Sequence, residues 1–308
     1  MYSQYFIHLI LVLLLAPLFL GIVNRIKAKV AGRHGKPLLQ LYFDLFKLLH
    51  RGETISVCTT WVFILAPSIS LAATLLAILL LPLGGNPSPF SFHGDFFVVA
   101  YLLGIGRFAI VLAALDTGSP FEGMGASREA CFSALVEPVL FLCFLALLTI
   151  EADGAIKDEL SLSTIFVGHT SLSWLAGRAE PIMIPLSMFV LLLAENSRIP
   201  VDDPTTHLEL TMIHEAMILD HSGPNLALIE YGSALKLWLF ALLTTGLFLP
   251  PLPLWQSIIF TLILQFLMAV MLGFVESVMA RLKMTHIPRL LGGAGALAAL
   301  TIIIGHMY

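Results

Sequence analysis

The sequence predicts an all-α, polytopic membrane helix bundle of about eight transmembrane helices. Three observations predict it. Of 308 residues, 58% are hydrophobic and only 12% are charged, against roughly 25% charged in soluble domains. The apolar residues come in long blocks, and a block of about 20 crosses a hydrocarbon core of ~30 Å. Between the blocks, cationic residues gather in alternate connections, as they do on the cytoplasmic side of membrane proteins.

The apolar segments lie at about 4–23, 57–82, 97–115, 128–150, 176–196, 230–250, 255–280 and 288–306. In the first, Tyr5 to Val23, the positive charges Arg25, Lys27 and Lys29 follow the apolar run rather than precede it. That order is the reverse of a secretory signal and predicts a retained first helix. Arg178 and Glu180 interrupt the start of the fifth, and Pro185 lies within it. No repeat, low-complexity tract or flexible linker divides the chain. Residues 1–308 are therefore expected to form one membrane domain, with docking loops at about 24–56, 116–128, 197–229 and 281–288.

Eight crossings place both termini on one side. The first connection carries Arg25, Lys27, Lys29, Arg33, Lys36, Lys47 and Arg51, and Arg128, Arg198, Arg281, Lys283 and Arg289 fall on the same side. Only Lys157 and Arg178 fall opposite. Basic residues set orientation and acidic ones contribute little, so the cationic loops are expected in the cytoplasm and both termini outside.

Other classes are excluded by composition. A formal charge of −4 implies neither nucleic acid nor an acidic substrate. Cys58, Cys131 and Cys143 are far apart, with no CxxC spacing for an iron–sulfur cluster or a Cys-rich zinc site. No dinucleotide fingerprint, phosphate loop or nucleophile elbow is present, so catalysis within this chain is not expected.

Ionisable residues in lipid cost at least ~2.5–3.5 kcal/mol each at a helix centre. Arg107 lies mid-span in the third segment, Glu137 in the fourth, Glu195 at the end of the fifth, Lys236 early in the sixth and Glu276 late in the seventh. Both signs are present, so pairing inside the bundle would offset the cost; structural pairing or snorkelling to the interface is the plainer reading for each of Lys236 and Glu276. The 195–230 stretch concentrates Glu195, Arg198, Asp202, His207, Glu209, His214, Glu215, Asp220, His221 and Glu230. His207, His214 and His221 recur every seven residues and would share one face of a helix. Gly223 and Pro224 would end such a helix, and no HExxH spacing exists, so proton relay suits these imidazoles better than metal binding. Gly104, Gly106 and the run Gly292-Gly293-Ala294-Gly295 offer small faces for close helix packing.

Several motifs together resemble the subunit 1 family of respiratory complex I, the NADH–quinone oxidoreductase H subunit. Its counterparts occur in membrane-bound NiFe hydrogenases and formate hydrogenlyase. Arg33-His34-Gly35 followed by Gln40, Asp44 and Lys47 is similar to the family's first-loop pattern. Leu135-Val136-Glu137-Pro138 resembles its fourth-helix glutamate motif, and Ala194-Glu195-Asn196-Ser197-Arg198-Ile199-Pro200-Val201-Asp202 its A-E-x-x-R-x-P-x-D signature. Asp220-His221-Ser222-Gly223 stands where the family has E-Y-S-G, and Glu230-Tyr231 where it has E-Y. The resemblance runs from about residue 10 to 290. Asp116-Thr117-Gly118-Ser119-Pro120-Phe121, then Gly125-Ala126-Ser127-Arg128-Glu129, together with Glu276 to Leu282, looks like the hydrogenase-4 and formate hydrogenlyase branch. After Asp202 the pattern departs, with Thr205 and His207 where the family usually carries acids.

The resemblance implies a non-catalytic membrane anchor and proton-coupling subunit in the inner membrane. Its partners would be a NiFe-hydrogenase-like large subunit and an iron–sulfur small subunit on the cytoplasmic face, with antiporter-like subunits in the membrane. No cofactor is expected in this chain; iron–sulfur clusters and a NiFe centre would belong to the partners. Arg107, Glu137, Glu195, Arg198, Asp202, Glu209, Glu215, Glu230, Lys236 and Glu276 would form the coupling path. Arg33, Gln40, Asp44, Lys47, Asp116, Arg128 and Glu129 would serve docking. The alternatives are the quinone-site subunit of a complex I-like dehydrogenase and a stand-alone secondary transporter.

Overall fold

The computed structural model describes residues 2–82, 86–151, 161–167, 180–203, 212–250 and 252–305. Helices make up nearly all their regular structure. In order they are α1 (Tyr2–Val30), α2 (Gln40–Leu49), α3 (Trp61–Leu80), α4 (Asp95–Asp116), α5 (Pro120–Glu151) and α6 (Leu162–Val167). Then follow α7 (Glu180–Glu195), α8 (His214–Met217), α9 (Gly223–Gly246), α10 (Leu254–Val278), a 3₁₀ turn (Met284–His286) and α11 (Ile287–Gly305). Seven are long and apolar enough to cross a membrane, and α7 is a shorter apolar helix. The chain is a multi-pass membrane protein.

α9 is the axis of the bundle. Two-thirds of its apolar window is buried, against 33–44% in the other long helices, because α1, α3, α7 and α10 all pack around it. α3 and α4 form the most intimate pair; a Cβ on Gly106 would lie 3.4 Å from Ser70 Oγ. α11 packs on α5 through Gly295, whose Cβ would meet Val139 at 3.3 Å. Gly292 and Gly293, expected to serve close packing, face open space instead.

Two elements depart from the sequence reading. The run Gly223-Pro224, expected to end a helix, begins one: Pro fits the first turn, where its missing N–H has no helical partner. α9 therefore starts seven residues before the expected segment, and Lys236 sits at mid-helix rather than near an end. The second is α2, inside what reads as a loop. It is amphipathic, with Phe43, Phe46 and Leu49 exposed. The chain between α1 and α2 runs back along α1. Arg25 donates to the carbonyls of Gly35 and Lys36 at 3.2 and 3.4 Å, and the Tyr42 hydroxyl donates to the Leu14 carbonyl.

Polar clasps hold the connections. Asp116, the last residue of α4, accepts from the Thr60 backbone N–H at 2.6 Å and from its hydroxyl at 2.9 Å, while Thr60 caps α3. Thr54 N–H donates to Ser222 Oγ at 3.0 Å, and Asn225 donates to Glu53. Fully buried Glu122 accepts from the Thr117 hydroxyl and from the Asp220 N–H. At the opposite end, fully buried Asp95 accepts from the Leu162 N–H at 2.6 Å and from Ser91 Oγ at 3.1 Å.

Candidate functional site

Four of the ionisable residues expected in the membrane converge from four helices. Arg107 on α4 donates one terminal nitrogen to Glu195 Oε1 of α7 at 2.5 Å and the other to Glu137 Oε1 of α5 at 2.6 Å. Lys236 on α9 closes the group, 2.8 Å from Glu195 Oε2 and 2.7 Å from the Glu195 carbonyl oxygen. α7 ends at Glu195, so that carbonyl lacks a helical donor and a lysine supplies one. Glu195 is buried, whereas the Glu137 side chain keeps 45% of its exposure. The forked guanidinium lets one cation serve two carboxylates at different depths.

Two further pairs stand beside this group. Glu276 on α10 pairs with Lys27 at 2.8 Å and with Arg198 at 3.6 Å. Glu276 is thus buried and ion-paired, which is the pairing the sequence offered beside snorkelling. Asp202 pairs with Arg281 at 2.9 Å and accepts from the Ile213 N–H at 2.8 Å. Burial nevertheless raises the Asp202 carboxyl above the usual carboxylate range. Lys27, Glu122 and Arg281 were not expected in the site; Lys27 and Arg281 lie far along the chain from Glu276 and Asp202, and only a fold connects them.

A cavity of about 620 Å³ joins the network to the loops. Its lining includes the largely buried Arg107, Glu195 and Lys236 and, from the first connection and α2, the exposed Lys36 with Gln40 and Asp44. Glu129, Arg198, Asp202, His214, Glu215, His221 and Glu230 line it as well. Gln40, Asp44 and Glu129, expected in docking loops, therefore face this space. Gln40 donates to Asp44 at 2.8 Å, one helical turn apart. Arg128 instead reaches the Met212 carbonyl at 2.8 Å, and Arg33 and Lys47 are exposed. The 116–128 segment is mostly the start of α5.

The histidines do not share a helix face. His207 and Glu209 lie outside the described residues. α8 is a single turn from His214, and the chain turns before His221. His214 reaches Ser233 Oγ at 3.3 Å, and burial lowers its basicity. His221 stacks on Phe63 with ring centroids 3.9 Å apart and planes 4° apart. Burial pushes its pKa down to about 4. Asp220 engages Glu122 through its N–H, and its side chain is exposed.

A protein family described as NADH dehydrogenase matches residues 3–306. The chain belongs to this family. It is 36% identical over 248 residues to hydrogenase-4 component C of Escherichia coli (strain K12), covering 78% of this chain and 73% of that protein. It is 31% identical over 288 residues to formate hydrogenlyase subunit 4 of Escherichia coli (strain K12), covering 89% of each. Its fold matches a chain of the membrane-bound sulfane sulfur reductase, an archaeal respiratory membrane complex. The TM-score is 0.79 at 19% identity, over 99% of both chains. As a member of the NADH dehydrogenase family with these relatives, the protein is a membrane subunit of a complex I-like complex.

Proposed function

We propose that this chain is the membrane anchor and proton-coupling subunit of a hydrogenase-type complex of the formate hydrogenlyase or hydrogenase-4 kind. The observation that carries the reading is the Arg107–Glu137–Glu195–Lys236 network, three of whose members, Arg107, Glu195 and Lys236, line a cavity that also reaches Lys36 of the first connection and Arg198. A carboxylate held between two cations responds to charge arriving nearby, because low dielectric strengthens each pairwise interaction. Charge change at the loop surface would pass by Asp202, Arg198 and Glu215 to Glu195. Arg107 connects Glu195 to Glu137, which opens on the side of the bundle.

The cationic loops would dock a NiFe-hydrogenase-like large subunit and an iron–sulfur small subunit from the cytoplasm. Antiporter-like subunits would adjoin in the inner membrane. The clusters and the NiFe centre would belong to those partners. Glu137→Gln in the intact complex tests coupling. Proton translocation should collapse while hydrogen evolution and bound nickel persist; unchanged translocation would sink the reading.

A second reading has one observation in its favour. The cavity falls within the ~300–1,000 Å³ that suits small ligands, so a quinone headgroup is its natural rival occupant. Quinone-dependent turnover, abolished by Glu129→Trp in the cavity wall, would support that reading over the first.

A further inference from the structure

Buried polar groups also lie on the far side of α9 from the charged network, and some of them lack a partner. From its start α10 carries one polar side chain per turn, Ser257, Thr261 and Gln265, all of them buried. Gln265 lies eleven residues from Leu254, the first residue of α10. At ~1.5 Å per residue that is about 16 Å, near the middle of the hydrocarbon core. At the end opposite the basic loops Ser257 is satisfied. Asn86 donates to its hydroxyl at 3.0 Å, and that hydroxyl donates to the Leu252 carbonyl at 3.1 Å.

Deeper in the membrane the pairing stops. Gln265 and Thr261 are each 1% exposed. Gln265 Nε2 lies 3.5 Å from Thr245 Oγ1 of α9. The Thr245 hydroxyl gives its hydrogen to the Ala241 carbonyl at 2.8 Å, so only an N–H can face it. That sets the orientation of the Gln265 amide and leaves its Oε1 without a donor. The Thr261 hydroxyl, one turn away on the same face, has no partner either. Trp238 Nε1 is a third such atom, two turns from Thr245 on the same face of α9. Lys236, nine residues from Thr245, lies on the opposite face. None of Trp238, Thr245, Thr261 and Gln265 lines the cavity.

Buried polar groups are paired as a rule, and hydrocarbon offers these nothing to pair with. A carboxamide oxygen accepts, and a hydroxyl both donates and accepts. Water bridges such atoms, using about two to four polar partners at a buried site. A cation is the poorer match, because the acids of α9 and α10 are Glu230 and Glu276, fifteen residues from Thr245 and eleven from Gln265. We infer that α9 and α10 enclose a hydration site in the half of the membrane away from the basic loops, where ordered water bridges Thr261 and Gln265. Water reaches about mid-membrane there. The buried, apolar Met268, Ala269 and Leu272 then stop it short of the Lys27–Glu276 pair. The site stands apart from the cavity and from the coupling path.

Hydroxyl-radical footprinting by X-ray pulse, on the complete complex in nanodiscs, tests this. Radicals formed from bound water oxidise side chains that bulk water does not reach. Met268 is buried one turn from Gln265. Met188 on α7 is also buried, beside Ser187, whose hydroxyl is satisfied by the Ala294 carbonyl at 2.9 Å. Met268 should oxidise several-fold faster than Met188, and Gln265→Leu with Thr261→Val should bring it down to the Met188 rate. Equal rates in the wild type would overturn the inference, and that comparison needs no variant to assemble. So would a Met268 rate unchanged by the double substitution. Replacing choline chloride with sodium chloride should leave the Met268 rate as it is; protection by sodium would assign the site to a cation and overturn the hydration site.

Discussion

Arg107 carries the balance of the membrane-embedded site. Its guanidinium is the shared partner of Glu137 and Glu195, and removing it leaves a buried carboxylate with only Lys236. Breaking a buried pair costs ~3–5 kcal/mol because the remaining charge is uncompensated. Arg107→Ala is therefore expected to lower the unfolding temperature in detergent, and Glu137→Gln to lower it far less, since Glu137 is half-exposed. Equal losses in the two variants would contradict the shared-partner geometry. His221 gives a second test. Folding holds its pKa near 4, against an ordinary 6.5. Between those values the unfolded chain binds a proton that the folded chain refuses, so the contribution of His221 makes stability fall as pH drops through that window. The slope is at most about 1.4 kcal/mol per pH unit. His221→Phe keeps a ring against Phe63 and should gain on the wild type as pH falls from 6.5 towards 4, measured as the difference between their unfolding temperatures.

Among elements, the return of the chain along α1 has the least tolerance. A Cβ on Gly21 would lie 2.1 Å from the Leu38 carbonyl oxygen, which is backbone and cannot swing aside. Gly21→Ala should cost ~1–3 kcal/mol as an overpacked contact and should expose residues 31–39 to protease; an unchanged digestion pattern would argue against the close approach. This element also shows where sequence reading ends. The long apolar blocks announced the spanning helices, because length and hydrophobicity are local properties. α2 escaped because its exposed apolar residues, Phe43, Phe46 and Leu49, make a stripe too short for a span. Gly223-Pro224 was misleading because the same pair can follow one helix or open the next. The charged residues of the site were legible through their rarity in apolar surroundings. Their pairing was not: Lys27 meets Glu276, and Arg107 meets Glu195, only because distant helices are neighbours. Glu129, expected in a docking loop, lies on α5 and lines the cavity, a placement that depends on where α5 begins.

For the whole molecule, seven long helices and the shorter α7 allow eight crossings, which would leave both termini on one side. The basic loops predict that side to be the outside, so tags on either terminus should be labelled by an impermeant reagent in whole cells, while a label near Arg33 should require permeabilised ones. The opposite pattern would invert the orientation. The turn between α4 and α5 bears on how such a chain is made. Only Thr117 to Ser119 separate the two helices, so an arginine that would enter the bilayer alone is followed on the very next helix by a glutamate that pairs with it. The pair can leave the translocation machinery as a hairpin with its charges already matched, before α7 and α9 are synthesised. Glu137 would then be Arg107's first partner in time, and Glu195 and Lys236 would complete the group only when the later helices arrive.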